Sequence, residues 1–532
     1  MPGKAVMFGQ EAREALKAGV DEVGNAVRVT MGPRGRNVVL ERKYGKPIIT
    51  NDGVTVASDV EDLEDPFVNT GARLAYEAAK KTNSVAGDGT STAAILCQAI
   101  YAQGLRVTTA GYNAMILRRG LQLASKAVSE FLEESAVEVS GREQLEWVGT
   151  ISAADPEIGR MVAHLFDKLG KDAGVNVEDG KTSETFVDYV NGIKFDRGLI
   201  SPYFAGGEGQ SEASVSRPYI LLTDQKLTAA SDVIPVMEKF LQAGNKDLII
   251  MAEDIEGEAL GALVLNRLRG VINVVGVKAP AFGDRRRWML EDYAIFTGGQ
   301  LIAKEMGLGW DKVGLEHLGR ADTVTVTKDE TMIIAGHGDP ELIQRRIDAI
   351  WDSHRKAKND YDREKLSERA NQLSGTIAVL NVSAPTEIEQ REKKHRVEDA
   401  VSATRAALEE GVVTGGGVSL LRAEQAIDAL DLSETEQIGA DVVRQALAQP
   451  LMQIAENAGF EGDVIAQRVR EAEGNVGFNA ESGEYEDLFA AGIVDPVKVT
   501  RAAVTNAVSA AINLLTTETT IVDAPEETDE ES

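Results

Sequence analysis

The sequence predicts a multidomain α/β protein, mostly helical toward both chain ends and α/β in the middle. Three observations carry this. The 532 residues exceed what one hydrophobic core serves, so about two to four domains are expected. The outer thirds space apolar residues by three and four, the period of a helix packed on one face. The central third alternates short β-branched runs with helical patterns, the grammar of an α/β unit.

Taken in order, residues 9–30 read as an amphipathic helix, with Ala12, Leu16, Val20, Val23 and Val27 on one face. Gly32-Pro33 ends it. "NVVLERKYGKPIITNDG" reads as two short strands around a turn, and helical patterns return over 67–84 and 91–135. The runs "YILLTD", "DLIIMAED", "VINVVGVKAP" and "AIFTGGQLI" read as strands. They are separated by the helical "DVIPVMEKFLQAG", "EGEALGALVLNRLRG" and "RRRWMLEDYA", so a compact parallel sheet is expected. "ADTVTVTKDETMIIAG" predicts a hairpin turning at Lys328-Asp329-Glu330. A charged helical pair follows over 339–373, then the strand "GTIAVLNVSAP", a charged helix over 386–411, and helix to about 515. The last ten residues are acidic and are expected to be disordered.

Composition excludes several function classes. Lys and Arg number 56 against 85 Asp and Glu, a net charge of −29. Such a surface repels phosphodiester backbones, so no nucleic-acid partner is expected. Arg285-Arg286-Arg287 is too short to reverse that. Cys97 is the sole cysteine, and the five histidines are scattered without i, i+4 pairing. No internal disulfide or zinc cage is therefore expected, which fits a reducing cytoplasm. No run reaches the ~20 apolar residues that span a bilayer, and the N-terminal stretch lacks a secretory pattern. No membrane association is expected.

Chemistry concentrates in glycine-rich loops. "VNVEDGKT" at 175–182 imitates a phosphate-binding loop, but valine stands at 175 where the motif needs glycine. It is read as an ordinary turn. "TMGPRGRN", "TNDGVT", "GDGTST" and "TGGG" each join two apolar segments. In "GDGTST" the glycines let a ligand approach the backbone. Helix-start N–H groups behind them favour a phosphate. Asp88 would repel that phosphate unless a cation intervened. It therefore reads either as a helix cap or as a ligand of Mg²⁺ carried by a nucleotide, with Thr90, Ser91 and Thr92 on the phosphates.

Seven long motifs in one order bear on that choice. "GRNVVLERKYGKPIITNDGVTVA", "AGDGTSTAAIL", "FDRGLISPYF", "VKAPAFGDRRR", "YDREKLSERANQLSG", "RVEDAVSATRAALEEGVVTGGGVSLLR" and "GIVDPVKVTRAAV" resemble the group I chaperonins, the bacterial 60 kDa chaperonins of the GroEL type. The resemblance spans residues 2 to about 523. It implies a GroEL-like fold in three domains. A mostly helical equatorial ATP-binding domain would comprise 2–136 and 411–523. A small intermediate hinge domain would comprise 137–191 and 375–410, and an α/β apical substrate-binding domain 192–374. Residues 524–532 would form the acidic tail. Gly192, Gly375 and Gly411 fall at the crossings, as hinge candidates.

The resemblance also implies site residues. Thr30, Met31, Gly32, Pro33, Asp52 and Gly53 would form one side of an ATP site. Asp88, Gly89, Thr90, Ser91 and Thr92 would hold Mg²⁺ and phosphates, with Asp88 the metal ligand. Gly415 and Gly416 would pack on the ribose side, and Asn479, Ala480, Ile493 and Asp495 would line base and sugar. Asp399 would orient the attacking water, assisted by Asp52. Leu199, Tyr203, Phe204, Ile234, Met237, Leu260, Val264 and Leu265 would bind non-native proteins. On "EGEALGALVLNRLRG" Leu260, Leu263, Val264, Leu265 and Leu268 sweep an arc of roughly 200°, wider than a one-sided helix requires. That pattern is read either as burial on two sides or as exposed apolar surface.

The implied activity is that of an ATP-dependent molecular chaperone and ATPase, of the protein-folding isomerase class, using ATP, Mg²⁺ and K⁺. Its expected partners are non-native clients, a detachable co-chaperonin lid of the GroES type, and copies of itself in rings of seven, two rings stacked. Two departures stand out. Asn51 occupies the usual lysine position of the second loop, and the chain ends in an acidic run where many relatives carry Gly-Gly-Met repeats. They leave open a divergent copy that holds clients with weak ATP cycling. A small-molecule ATP-dependent kinase or ligase is the remaining alternative.

Overall fold

The computed structural model describes residues 3–42, 47–60, 62–205, 212–303, 305, 307, 309–357 and 359–523. The acidic tail therefore lies outside the described residues. The chain forms two compact units. One comprises residues 1–171, 179–185 and 382–532, the other 172–178 and 186–381.

The first unit is built mainly of helices. Strand β1 (Lys4–Phe8) leads into α1 (Gly9–Arg28), whose buried face carries the stripe Ala12, Leu16, Val20, Val23 and Val27. β2 (Val38–Leu40) and β3 (Ile48–Thr50) pair antiparallel, as expected. Helices α2 (Gly53–Asp59) and α3 (Pro66–Ala86) follow. α3 crosses α1 at very close range. A Cβ on Gly19 would stand 1.9 Å from the Val68 carbonyl oxygen, and one on Gly71 2.1 Å from that of Leu16. Residues 91–135 form two helices, not one: α4 (Thr90–Thr109) and α5 (Ala114–Glu134). Gly111 adopts φ 101°, and the Asn113 side chain accepts from the Met115 N–H to restart the helix. α6 (Arg142–Ala153) and α7 (Pro156–Leu169) complete this stretch.

The second unit is a mixed sheet covered by helices. It contains β4 (Gly174–Asp179), β5 (Phe186–Phe195), β6 (Glu212–Ser216), β7 (Tyr219–Thr223), β8 (Lys226–Leu227), α8 (Ile234–Gln242), β9 (Asp247–Ala252) and β10 (Asp254–Ile255). Next come α9 (Gly257–Leu268), β11 (Asn273–Lys278), α10 (Asp284–Thr297), β12 (Leu301–Ile302), β13 (Gly319–Thr327) and β14 (Thr331–Gly336). α11 (Pro340–Lys356), α12 (Asp360–Leu373) and β15 (Thr376–Val382) close the unit.

The main strand order is β11-β9-β7-β13-β14-β5-β15-β4. Only part of it is parallel, contrary to expectation. β11, β9, β7 and β12 run parallel, and β9, β11 and β12 are each reached through a helical crossover. β13–β14 is the expected antiparallel hairpin, closed by Thr327 N–H to the Glu330 carbonyl, and β14 pairs with β5 and β5 with β15 antiparallel as well. "AIFTGGQLI" is also corrected. Its first half finishes α10, which ends at the left-handed Gly298, and only Leu301–Ile302 is strand. The core of this unit centres on Phe240, Ile249, Val275, Tyr293 and Val324.

The chain returns to the first unit through α13 (Glu387–Glu410) and β16 (Val412–Thr414). Short helices α14 (Val418–Arg422) and α15 (Glu424–Asp428) lead to α16 (Glu434–Ala446), α17 (Gln449–Asn457) and α18 (Gly462–Glu471). The region read as helical throughout contains strands as well. β17 (Val476–Asn479) pairs with β18 (Glu484–Asp487), and β19 (Val494–Pro496) pairs with β16. These segments are only three or four residues long, too short for a period to register. α19 (Val497–Leu515) is almost wholly buried among α3, α4 and α5, and β20 (Thr519–Asp523) pairs with β1.

Candidate functional site

The central feature of the first unit is the start of α4. Gly89, at φ 85°, precedes it, and no side chain caps its N-terminus. A 20-residue helix thus presents unbonded N–H groups with the positive end of its dipole behind them. Asp88 does not cap α4, so the simpler reading of "GDGTST" fails. Its carboxylate accepts from the Gly89 N–H at 2.5 Å and from the Ser152 hydroxyl of α6 at 2.8 Å. Ser152 was not anticipated, because it lies 64 residues away in a segment without motif character.

Close packing explains the glycines. A Cβ on Gly53 would stand 2.3 Å from the Ser91 hydroxyl and 2.7 Å from that of Thr90. The loop before α2 therefore lies directly on the start of α4. Asp52 does cap its own helix, accepting from Val54 and Thr55 N–H at 3.1 and 2.9 Å. Thr30 reaches the same place, its hydroxyl 3.3 Å from that of Ser91. Met31 is tied down by its carbonyl, which accepts from the Asn457 amide, and Gly32 (φ 78°) packs on Ile454. Pro33 is exposed beside them, and Thr92 lies on the first turn of α4.

The C-terminal segments complete the ring. β16 pairs with β19 so that Val413 faces Asp495, and a Cβ on Gly415 would stand 3.1 Å from the Asp495 carboxylate. Gly416 (φ 64°) follows, and the Gly415 N–H donates to the Ile493 carbonyl at 2.9 Å. Ala480 is buried, whereas Asn479 holds its own turn by accepting from the Glu481 N–H. Arg34 donates to the Glu481 carbonyl at 3.1 Å, which ties the first loop to this one.

α13 packs against α3, α6, α19 and β3 and brings Asp399 to the site. The helix sits hard on the loop before α4, because a Cβ on Gly87 would lie 2.3 Å from the Ser402 Cβ. The result is a group of carboxylates that repel one another in pairs, Asp88 with Asp52 and with Asp495, and Asp399 with Asp88 and Asp52. Burial pushes Asp399 well above the usual carboxylate range, reinforced by the negative charges of Asp88, Asp52 and Glu398. Burial also raises Asp88, which its two hydrogen bonds oppose and Asp52 augments. Asp495 is pushed up to about 7 by burial and by Asp88. No lysine or arginine among the described residues offsets Asp88, Asp399 or Asp495 electrostatically. A cluster of this kind stores electrostatic energy that a bound cation releases. Among the described residues no three His, Cys, Asp or Glu side chains form a metal cage. A cation here needs ligands brought with it.

The residues expected to bind clients lie in the second unit and divide into two groups. Tyr203, Ile234 and Leu265 are 66%, 39% and 47% exposed, and Leu199, Leu260 and Val264 are partly buried against the core. Phe204 and Met237 are buried, Phe204 so tightly that a Cβ on Gly276 would stand 2.8 Å from its ring. They support the surface and do not face solvent. α9 is buried on one side through Ala259 and Leu263, while Leu265 and Leu268 face outward. Its wide apolar arc therefore reflects exposed apolar surface, not burial on two sides. Gly192 and Gly375 meet at one place in this unit, where the Gly192 N–H donates to the Gly375 carbonyl at 3.0 Å.

The architecture matches the chaperonin gp146 of bacteriophage EL 2 (Pseudomonas aeruginosa), solved in the presence of ATP-BeFx, with a TM-score of 0.64. Sequence identity is 21%, and the match covers 98% of this chain and 99% of that one. Residues 23–525 match the model of the TCP-1/cpn60 chaperonin family, and the chain belongs to that family. Among the described residues no helix is long and apolar enough to cross a membrane.

Proposed function

We propose that this chain is an ATP-driven protein-folding chaperonin of the group I, GroEL-type class. The observation that carries the reading is the uncapped start of α4, with four carboxylates gathered around it. Bare N–H groups favour phosphate, and the carboxylates exclude phosphate unless a divalent cation accompanies it. Mg-nucleotide meets both demands, because the phosphates bring the missing metal ligands. Asp88 would hold Mg²⁺, and Thr30, Thr90, Ser91 and Thr92 would hold phosphate oxygens. Gly32, Gly53, Gly89, Gly415 and Gly416 let the nucleotide approach the backbone. Bound there, the ion supplies charge neutralisation between phosphates and carboxylates. K⁺ is the second cation of this reading.

Asp399 orients the attacking water. Its raised proton affinity in the ligand-free site suits a group that handles a proton. Because it arrives on α13, hydrolysis is coupled to the position of that helix. The division into equatorial, intermediate and apical domains, with hinges at Gly192, Gly375 and Gly411, belongs to the same reading. So do the co-chaperonin lid and a cytoplasmic location.

Exposed apolar surface supports two kinds of partner. Tyr203, Ile234, Leu265 and Leu268 offer exposed aliphatic and aromatic surface, which suits unfolded clients. Phe8, Val39, Ile49 and Ile521 are 64%, 65%, 43% and 63% exposed on the two small strand pairs β1–β20 and β2–β3. Apolar strand pairs exposed in this way favour association with further copies of the chain, which is consistent with the ring assembly of this reading. The test is refolding of an aggregation-prone client with Mg-ATP and a lid protein. Asp399→Ala is expected to assemble and bind nucleotide but to lose at least about 10²-fold in turnover. Unchanged turnover in Asp399→Ala would refute its role.

A further inference from the structure

Along α13, residues 395, 399 and 402 are spaced i, i+4, i+7 and so share one face of the helix. Two of the three positions are fixed by contacts. Ser402 rests on Gly87, and Asp399 lies among Asp88 and Asp52. His395, one turn before Asp399, therefore lies on the same face of α13 and close enough to Asp52 to feel its charge. It is half-buried. The loop motifs do not include it, and nothing in the reading above assigns it a task.

We propose that His395 is a positioning residue for the nucleotide's terminal phosphates, becoming an imidazolium when ATP binds and so making ATP binding take up a proton. The inference rests on the reading of this site as a Mg-ATP site and adds the residue through which pH acts on it. Its surroundings fit that task. From the loop before α2 it faces Asp52, which favours its charged form. On its own helix Lys394 and Arg391 oppose that form, Glu392 favours it, and Asp399 follows one turn on with Asp88 beyond. Burial outweighs these and holds the imidazole neutral in the ligand-free protein. Mg-ATP brings a net charge of about −2, the triphosphate's four negative charges less the two of its ion, which shifts that balance toward the imidazolium. The imidazolium would then bridge Asp52 and phosphate on the face that also carries Asp399, so α13 docks most firmly when ATP is present. A neutral side chain at 395 would leave docking to Ser402 and Asp399.

The test is isothermal titration of the full-length protein with Mg-ATP at pH 7 in buffers of different ionisation enthalpy, which counts protons exchanged per site. The carboxylates are common to all variants, so the difference between variants isolates His395. The unaltered protein is expected to take up about 0.5 proton per subunit more than His395→Gln or His395→Ala. Its ATP affinity should fall roughly three- to tenfold between pH 6 and 8, with a much flatter profile in both variants. Elution of each variant at the unaltered particle size checks that assembly is intact. Equal proton counts and equal pH slopes in all three proteins would overturn the assignment while leaving the nucleotide site standing. Absence of any Mg-ATP heat in the unaltered protein would overturn both.

Discussion

Replacing Asp495 with asparagine should stabilise the ligand-free protein at neutral and alkaline pH while weakening its nucleotide site. The Asp495 carboxyl is raised from an ordinary 3.8 to about 7 by burial and by Asp88. The folded chain therefore binds more protons than the unfolded chain between those values, and stability falls as pH rises from about 4 to about 7. At about 1.36 kcal/mol for each tenfold change in proton affinity, the full penalty above pH 7 is about 4 kcal/mol. The residue keeps some contact with solvent, so about 1–4 kcal/mol is the expected gain for Asp495→Asn at pH 8. At pH 4 the carboxyl is protonated in the folded state, and the gain should shrink toward zero. Urea denaturation of the nucleotide-free protein in EDTA at both pH values measures this. A variant no more stable than its parent at pH 8, or more strongly stabilised at pH 4, would refute the argument.

Two further outcomes follow from the second unit. Asp292 is 2% exposed and receives Arg346 at 2.6 Å and Arg369 at 2.8 Å, clamping α10, α11 and α12 together. Asp292→Ala leaves two partly buried guanidinium groups without their shared partner and should cost about 3–5 kcal/mol. Chemical denaturation is the check, and a loss under 1 kcal/mol would contradict it. Leu265→Ser with Leu268→Ser removes two exposed leucines, so it should leave the denaturation midpoint unchanged and slow the capture of an unfolded client. Capture at the parent rate would exclude this face as the client surface.

Much of this architecture was legible in the sequence where periods were long. The α1 stripe and the Lys328-Asp329 hairpin follow directly from residue spacing. What escaped had physical causes. β16, β17, β18 and β19 are too short to show alternation, and they are held by partners far along the chain. The break between α4 and α5 rests on a single glycine conformation and one asparagine cap. The site loops announced themselves through glycine next to Asp88 and the hydroxyls. Ser152 and His395 did not, because their importance lies in what packs against them: α6 on the Asp88 loop, and α13 on β3. Phe204 and Met237 show the converse, apolar residues whose type suits a binding surface but whose side chains fill the core.

Equilibrium binding of ATP to the full-length protein, with and without Mg²⁺ and in Asp88→Asn, goes to the heart of this account. A cluster of carboxylates at a bare helix start should admit the triphosphate only with its divalent ion. Saturable binding in Mg²⁺ that is lost in EDTA and weakened at least about tenfold in Asp88→Asn is the predicted result. Binding of equal strength in EDTA, or undiminished in Asp88→Asn, would contradict it.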